Sequence, residues 1–232
     1  VSDVDGVRKM IDDTMAKWGR IDIIIANAGI LRDRSFSKMT VEDIDLVLAV
    51  HLRGTFLPVH AAWDIMKAQN YGRIVVTTSS TGLYGNFGQA NYGAAKLGVV
   101  GMMNTLKIEG AKNNITVNTV CPIAATRMTE DIMSEQMLTA LKPEYVTPGV
   151  INLVKEDAPT GVILSAGAGA FSMARIVETA GVFVGAGDAL TAEAVAAKWS
   201  QITDVSTTRP AFKSGGEHGQ NIFAAVAAAT AK

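Results

Sequence analysis

Val7, Met10, Ile11, Met15 and Trp18 recur at three- and four-residue spacing, which predicts a helix with one buried face over Val1 to Trp18. The next apolar run, Ile21-Asp22-Ile23-Ile24-Ile25-Ala26, is short, β-branched and almost without polar alternation. That pattern predicts a strand buried on both faces, as in a parallel sheet. Thr40, with Glu42 and Asp43 behind it, reads as the capped start of a long amphipathic helix reaching Gln69, with Ile44, Val47, Leu48 and Leu52 on its apolar face. A strand over Arg73–Thr78, a helix from Tyr92 to Lys112 and a strand over Ile115–Val120 follow. Further on, the pattern predicts helical segments over Met128–Leu141 and Pro143–Lys155, then a strand over Val162–Ser165 closing in the small-residue turn Ala166-Gly167-Ala168-Gly169. Ala174–Glu178 and Val182–Val184 around Gly181 read as a hairpin, and Thr191–Ile202 as a helix. This alternation predicts an α/β three-layer fold with a doubly wound, mainly parallel sheet over residues 1–205, followed by a flexible Gly/Ala-rich tail over 206–232.

Composition narrows the function classes. The chain has 232 residues, 48% of them hydrophobic and 19% charged, which suits a sizeable core. A net charge of −1 without a basic run argues against nucleic acid as a partner. No apolar run approaches the length of a membrane span, so no membrane partner is expected. The single cysteine, Cys121, cannot form an internal disulfide, and no CxxC or HExxH supports a zinc or dithiol site. A soluble, reducing compartment is the expectation.

The chemistry concentrates between Ser79 and Lys96. Tyr92 and Lys96 are four residues apart, so they share one helix face. A phenol with a reference pKa of about 10 is a poor acid-base group at neutral pH. A fixed ammonium about 4 Å away is worth roughly 4 kcal/mol at an effective dielectric of about 20, enough to bring the phenol well below that value. Ser79 stands thirteen residues before Tyr92 and comes off the preceding strand, where it can hold a carbonyl oxygen beside the phenol. The trio suits proton exchange with a carbonyl or alcohol oxygen while a hydride moves elsewhere. Tyr and Lys at this spacing alone make an ordinary surface pair; the strand, glycine-rich loop and helix around them, together with the serine, give the pattern its weight.

With these residues the chain resembles the short-chain dehydrogenase/reductase family, whose catalytic signature is Ser, Tyr and Lys at this spacing. The run Tyr84-Gly85-Asn86-Phe87-Gly88-Gln89-Ala90-Asn91-Tyr92 is closest to the branch of (3R)-hydroxyacyl-CoA dehydrogenases found in peroxisomal multifunctional enzymes of type 2 and in free-standing bacterial relatives. The resemblance implies a Rossmann-like fold, interconversion of 3-hydroxyacyl-CoA and 3-ketoacyl-CoA, NAD or NADP as cofactor with NAD preferred, and a homodimer or homotetramer joined through the two long helices. It implies a cytoplasmic protein, or a peroxisomal one in a eukaryote. Carried onto this sequence, it makes Ser79, Tyr92 and Lys96 catalytic, and puts Asn27, Ala28, Gly29, Tyr92, Lys96, Pro122, Ile123 and Thr126 against the cofactor. Ala26 and Ile123 depart from the Asn and Gly usual in the family. His51 has two readings: a core or interface histidine, or a member of the catalytic set where most of the family has an Asn. The methionines Met128, Met133 and Met137 suit either an adaptable lid over an acyl chain or core filler. His218 reads as a solvated loop residue.

The resemblance covers most of residues 1–205 but only the catalytic half of the fold. The N-terminal βαβ portion with its pyrophosphate-holding glycine turn, about seventy residues, is expected ahead of Val1. Three other readings stand beside the main one: a short-chain reductase of a steroid, sugar alcohol or acyl-carrier thioester; a silent dimerising scaffold; and a serine hydrolase. The last lacks a Gly-x-Ser-x-Gly elbow.

Overall fold

A computed structural model describes residues 1–126 and 134–230. Met128 and Met133, and the side chain of Met137, lie outside the described residues, and with them the choice between a lid and core filler. Val1–Ala174 and Arg175–Lys232 form two compact units.

In the first unit α1 (Val4–Trp18) is capped by the Asp3 carboxylate, which accepts from the Asp5 and Gly6 N–H groups, and it ends on Gly19 in a left-handed conformation. The strand β1 (Ile23–Ala26) follows. The helix α2 (Val41–Leu48) starts at Thr40, whose hydroxyl accepts from the Asp43 N–H while its own N–H donates to the Asp43 carboxylate. A π turn over Ala49–Arg53 then leads into α3 (Gly54–Gln69). The remaining elements are β2 (Gly72–Thr77), α4 (Ser80–Tyr84), α5 (Ala90–Glu109), β3 (Ile115–Pro122), α6 (Glu135–Ala140), α7 (Thr147–Val154), β4 (Ile163–Gly167) and β5 (Ala170–Ala174).

The sheet runs β1-β2-β3-β4-β5, parallel throughout except for the antiparallel β5. One face is covered by α1, α3 and α5, where Ile24, Ile74, Val76 and Val117 pack with Val99, Met66 and Met103. On the other face α7 sets Leu153 against Val75 and Val120. This is the doubly wound α/β arrangement expected from the alternating pattern.

Two expectations are corrected. β1 is not buried on both faces: Ile23 and Ile25 are 47% and 48% exposed. They share a face with Arg73 and Val75 by register, and α7 covers β2 and β3 there. The hairpin also falls earlier than expected. Gly167 pairs with Ala170 across Ala168 and Gly169, both at positive φ (50° and 78°), the geometry of a two-residue hairpin turn. The segment around Gly181 forms no strand.

β2 is buried along its whole length, and its second residue is a buried arginine. Arg73 donates from Nε to the Lys155 carbonyl (3.0 Å), from Nη2 to the Glu156 carbonyl (2.6 Å), and from Nη1 to the Gly72 and Asn114 carbonyls (both 2.8 Å). Lys155 and Glu156 lie just past α7, so the guanidinium sits at the negative end of that helix.

In the second unit, α8 (Ala192–Ala197) starts on the Thr191 hydroxyl, α9 (Trp199–Ile202) follows, and α10 (Gly215–Thr230) takes up the Ala-rich end. Arg209 ties the segment together, its N–H and Nη2 donating to the Glu178 and Ala180 carbonyls. His218 is not a lone loop residue: it lies 3.3 Å from Glu178 and edge-on to Phe212.

Candidate active site

The carboxyl ends of β1, β2 and β3 carry Asn27, Ser79 and Ile123, and the first turns of α5 lie over that edge. Ligands of open α/β sheets bind at such an edge. Ser79 caps α4, its Oγ accepting from the Thr81 N–H at 3.2 Å. α4 lies tight on α5, because a Cβ at Gly82 would come within 2.9 Å of the Lys96 and Leu97 backbone. Glycine is what lets Ser79 approach the helix that carries Tyr92.

Tyr92 is partly buried, with the Ser79 side chain close enough to act on its phenol. Lys96 is 4% exposed. Its Nζ donates to the Thr77 carbonyl at 2.7 Å and stands 5.6 Å from the Tyr92 ring centroid, as the shared helix face requires. Its backbone carbonyl accepts from Thr78 Oγ1 at 2.6 Å, so both ends of the residue are fastened to the end of β2. Burial lowers the Lys96 pKa to about 8, with Cys121 acting the other way.

The direction expected for the phenol is reversed. Burial pushes Tyr92 up from its ordinary value, the Ser79 hydrogen bond pulls it down, and Asp33 and Cys121 push it up further. Desolvation of the phenolate outweighs any help from an ammonium that donates to a backbone carbonyl.

His51 sits in the π turn, 1% exposed, its ring edge-on to Tyr92 with centroids 4.9 Å apart. Single π turns inside helices recur at functional sites. Its Nε2 lies 3.0 Å from the Ile30 N–H and 2.7 Å from the Ile30 carbonyl, so either tautomer finds a partner there. Nδ1 has no hydrogen-bond partner among the described residues. Burial lowers the pKa of His51, the Ile30 contact raises it, and the Lys96 charge lowers it again, which keeps the ring neutral. A Cβ at Gly29 would meet His51 Cε1 at 2.5 Å, so the chain passes the ring only with a glycine there.

Of the residues expected around a cofactor, Asn27 accepts from Thr77 Oγ1 at 2.9 Å and joins the ends of β1 and β2. Ala28 and Gly29 are exposed beside it. Pro122 ends β3, Ile123 donates its N–H to Ala166 at 2.8 Å, and Thr126 is exposed further along the same segment. The arrangement brings Ser79, Tyr92, Lys96 and His51 together at the edge where those residues lie. Sequence reasoning passed over Asn91, Gln89 and Asp33, which hydrogen-bond around the first turn of α5. Their signal was present in the polar run from Asn86 to Asn91, but their partners lie elsewhere in the chain.

The sequence profile of the short chain dehydrogenases matches residues 1–137. The chain is 50% identical over 205 residues to the peroxisomal multifunctional enzyme type 2 of Mus musculus, across 88% of this chain and 28% of that protein. It is 44% identical over 207 residues to a short-chain type dehydrogenase/reductase of Mycobacterium tuberculosis, across 89% of this chain and 72% of that protein. Among solved structures, the full-length peroxisomal multifunctional enzyme type 2 of Drosophila melanogaster superposes with a TM-score of 0.78 at 38% identity, over 86% of this chain and 37% of that one. The chain thus spans well under half of either multifunctional relative.

Proposed function

The chain belongs to the short-chain dehydrogenase family, whose members use NAD(P), and from that premise we propose that it interconverts a 3-hydroxyacyl-CoA and a 3-ketoacyl-CoA. The observation that carries the reading is the gathering of Ser79, Tyr92 and the buried Lys96 at the carboxyl edge of a parallel sheet, with the Lys96 ammonium 5.6 Å from the Tyr92 ring. Ser79 orients the substrate oxygen. In reduction Tyr92, kept protonated by burial, gives that oxygen its proton; in oxidation the phenolate takes the proton back. Lys96 holds positive charge beside the phenolate form, and His51 holds the ring edge-on.

The residues present fit a nicotinamide. An ammonium has three donors, and that of Lys96 has one acceptor among the described residues, the Thr77 carbonyl, leaving donors for ribose hydroxyls. Asn27, Ala28 and Gly29 after β1, and Pro122, Ile123 and Thr126 at and after the end of β3, are the other residues that would hold it. When bound, the nicotinamide supplies or accepts the hydride. NAD is the proposed partner, with NADP the alternative. The proposed assembly is a homodimer or homotetramer, supported by the exposed Leu46, Phe56, Leu97 and Ile108 on α2, α3 and α5 and by a groove of about 460 Å³ between Leu48, Leu52 and Phe56. The proposed setting is peroxisomal in a eukaryote and cytoplasmic otherwise.

The test is turnover of (3R)- and (3S)-3-hydroxyacyl-CoA with NAD and with NADP. Oxidation of the 3R compound with NAD is expected. A steroid or acyl-carrier substrate turned over in preference to both acyl-CoAs would overturn the substrate assignment.

A further inference from the structure

Asn91 precedes Tyr92, is 4% exposed, and spends its whole amide on three different elements. Its Oδ1 accepts from the Tyr92 N–H at 2.8 Å. That N–H lies in the first turn of α5, where the backbone donors lack partners within the helix and the preceding Gln89 supplies no side-chain cap. Its Nδ2 donates to the Arg32 carbonyl and to the Asp43 carbonyl, both at 3.2 Å. These partners fix which end of the amide points where: two carbonyl oxygens on one side demand the nitrogen, and an N–H on the other demands the oxygen.

The elements it joins are braced a second time. Gln89 Nε2 donates to Asp33 at 2.7 Å, while its Oε1 accepts from Thr81 Oγ1 at 2.8 Å and from Asn86 at 3.0 Å. Thr81 is the residue whose N–H caps onto Ser79 Oγ. The Arg34 N–H donates to the Gly88 carbonyl at 2.9 Å, and the Arg34 guanidinium pairs with Asp43 at 2.8 Å. The loop after β1, the start of α2, the Ser79 turn and the Tyr92 turn are therefore held in one lattice.

We propose that Asn91 is a positioning residue for Tyr92, fixing the first turn of α5 against the loop after β1 and against α2 so that the phenol meets Ser79. The inference rests on the catalytic reading of Ser79 and Tyr92. Asp at this position would set an oxygen against two carbonyl oxygens, so the isosteric change is the damaging one. The charged groups around it are Arg32, Asp33, Arg34 and Asp43.

The test compares wild type, Asn91→Ala and Asn91→Asp. The expected result is a kcat lowered about 10- to 100-fold with little change in KM, since a displacement of the order of 1 Å at a reacting group costs about that much. The Asp variant should recover part of its loss as pH falls, because a protonated carboxyl regains one donor. Should Asn91→Ala not fold, Asn91→Ser keeps a small acceptor for the Tyr92 N–H, and its kcat is read instead. The phenol titration of Tyr92, taken as the ultraviolet difference from Tyr92→Phe, serves as a readout free of substrate. Because the Ser79 contact pulls the phenol down, its loss should move the titration further above the ordinary tyrosine value in the Asn91 variants. A folded Asn91 variant with wild-type kcat and an unmoved titration would overturn the proposal. A wild type inactive on acyl-CoA but with a shifted titration in the variants would overturn the substrate assignment and leave the positioning role standing.

Discussion

β2 holds a buried cation at each end, and the two are treated in opposite ways. At its start Arg73 spends four hydrogen bonds on the carbonyls of Gly72, Asn114, Lys155 and Glu156, and lies over the Tyr71 ring with its guanidinium carbon 4.1 Å from the centroid. At its end the Lys96 ammonium, from α5, donates one hydrogen bond among the described residues, to the Thr77 carbonyl, and burial brings its pKa down to about 8. A buried charge is costly unless its hydrogen-bonding capacity is filled. Arg73 is filled and holds α7 and the turn before β3 to the sheet. Lys96 is left with donors in reserve beside Tyr92, which is how a binding site differs from a structural joint.

The difference can be broken from either end. Lys96→Met should cost the most, a fall in kcat of about 10³-fold, since positioned acid-base and electrostatic groups contribute on that scale. Steady-state turnover beside circular dichroism would separate this from unfolding. Arg73→Met should do the reverse. Denaturant melts should show a loss of about 3 kcal/mol from stranding several buried carbonyls, with kcat of the folded fraction preserved.

The smaller effect concerns stability and pH. Because the Lys96 pKa is lowered in the folded state, the unfolded chain binds more protons between pH of about 8 and 10.5. The penalty of the buried charge is therefore complete below pH 8 and lifts as pH rises through that window. Relative to wild type, Lys96→Met should gain stability at neutral pH, and the gain should fade toward pH 10.5. Parallel melts at three pH values would check it.

The sequence carried more of one end of β2 than of the other. Ser79, Tyr92 and Lys96 lie within one strand-loop-helix stretch, so this local context, rather than their spacing alone, predicts that they meet. Arg73 read only as a strand residue, because its partners Asn114, Lys155 and Glu156 are separated from it by 41 to 83 positions. The Thr40 cap was visible because a capping box is local. The exposure of Ile23 and Ile25 was not, because it depends on how far α7 reaches across the sheet. The hairpin was misplaced because Ala168 accepts a positive φ that its identity does not advertise. The phenol's direction was misjudged for a related reason: charge proximity can be inferred from spacing, while depth of burial cannot.

The central claim is that the Tyr92 hydroxyl is the group that exchanges the proton. Tyr92→Phe removes that oxygen and keeps the ring that packs on His51. With (3R)-3-hydroxyacyl-CoA and NAD, the account predicts turnover reduced by about 10³-fold or more in a protein whose melting temperature is unchanged. Turnover at the wild-type rate in the folded variant would contradict it.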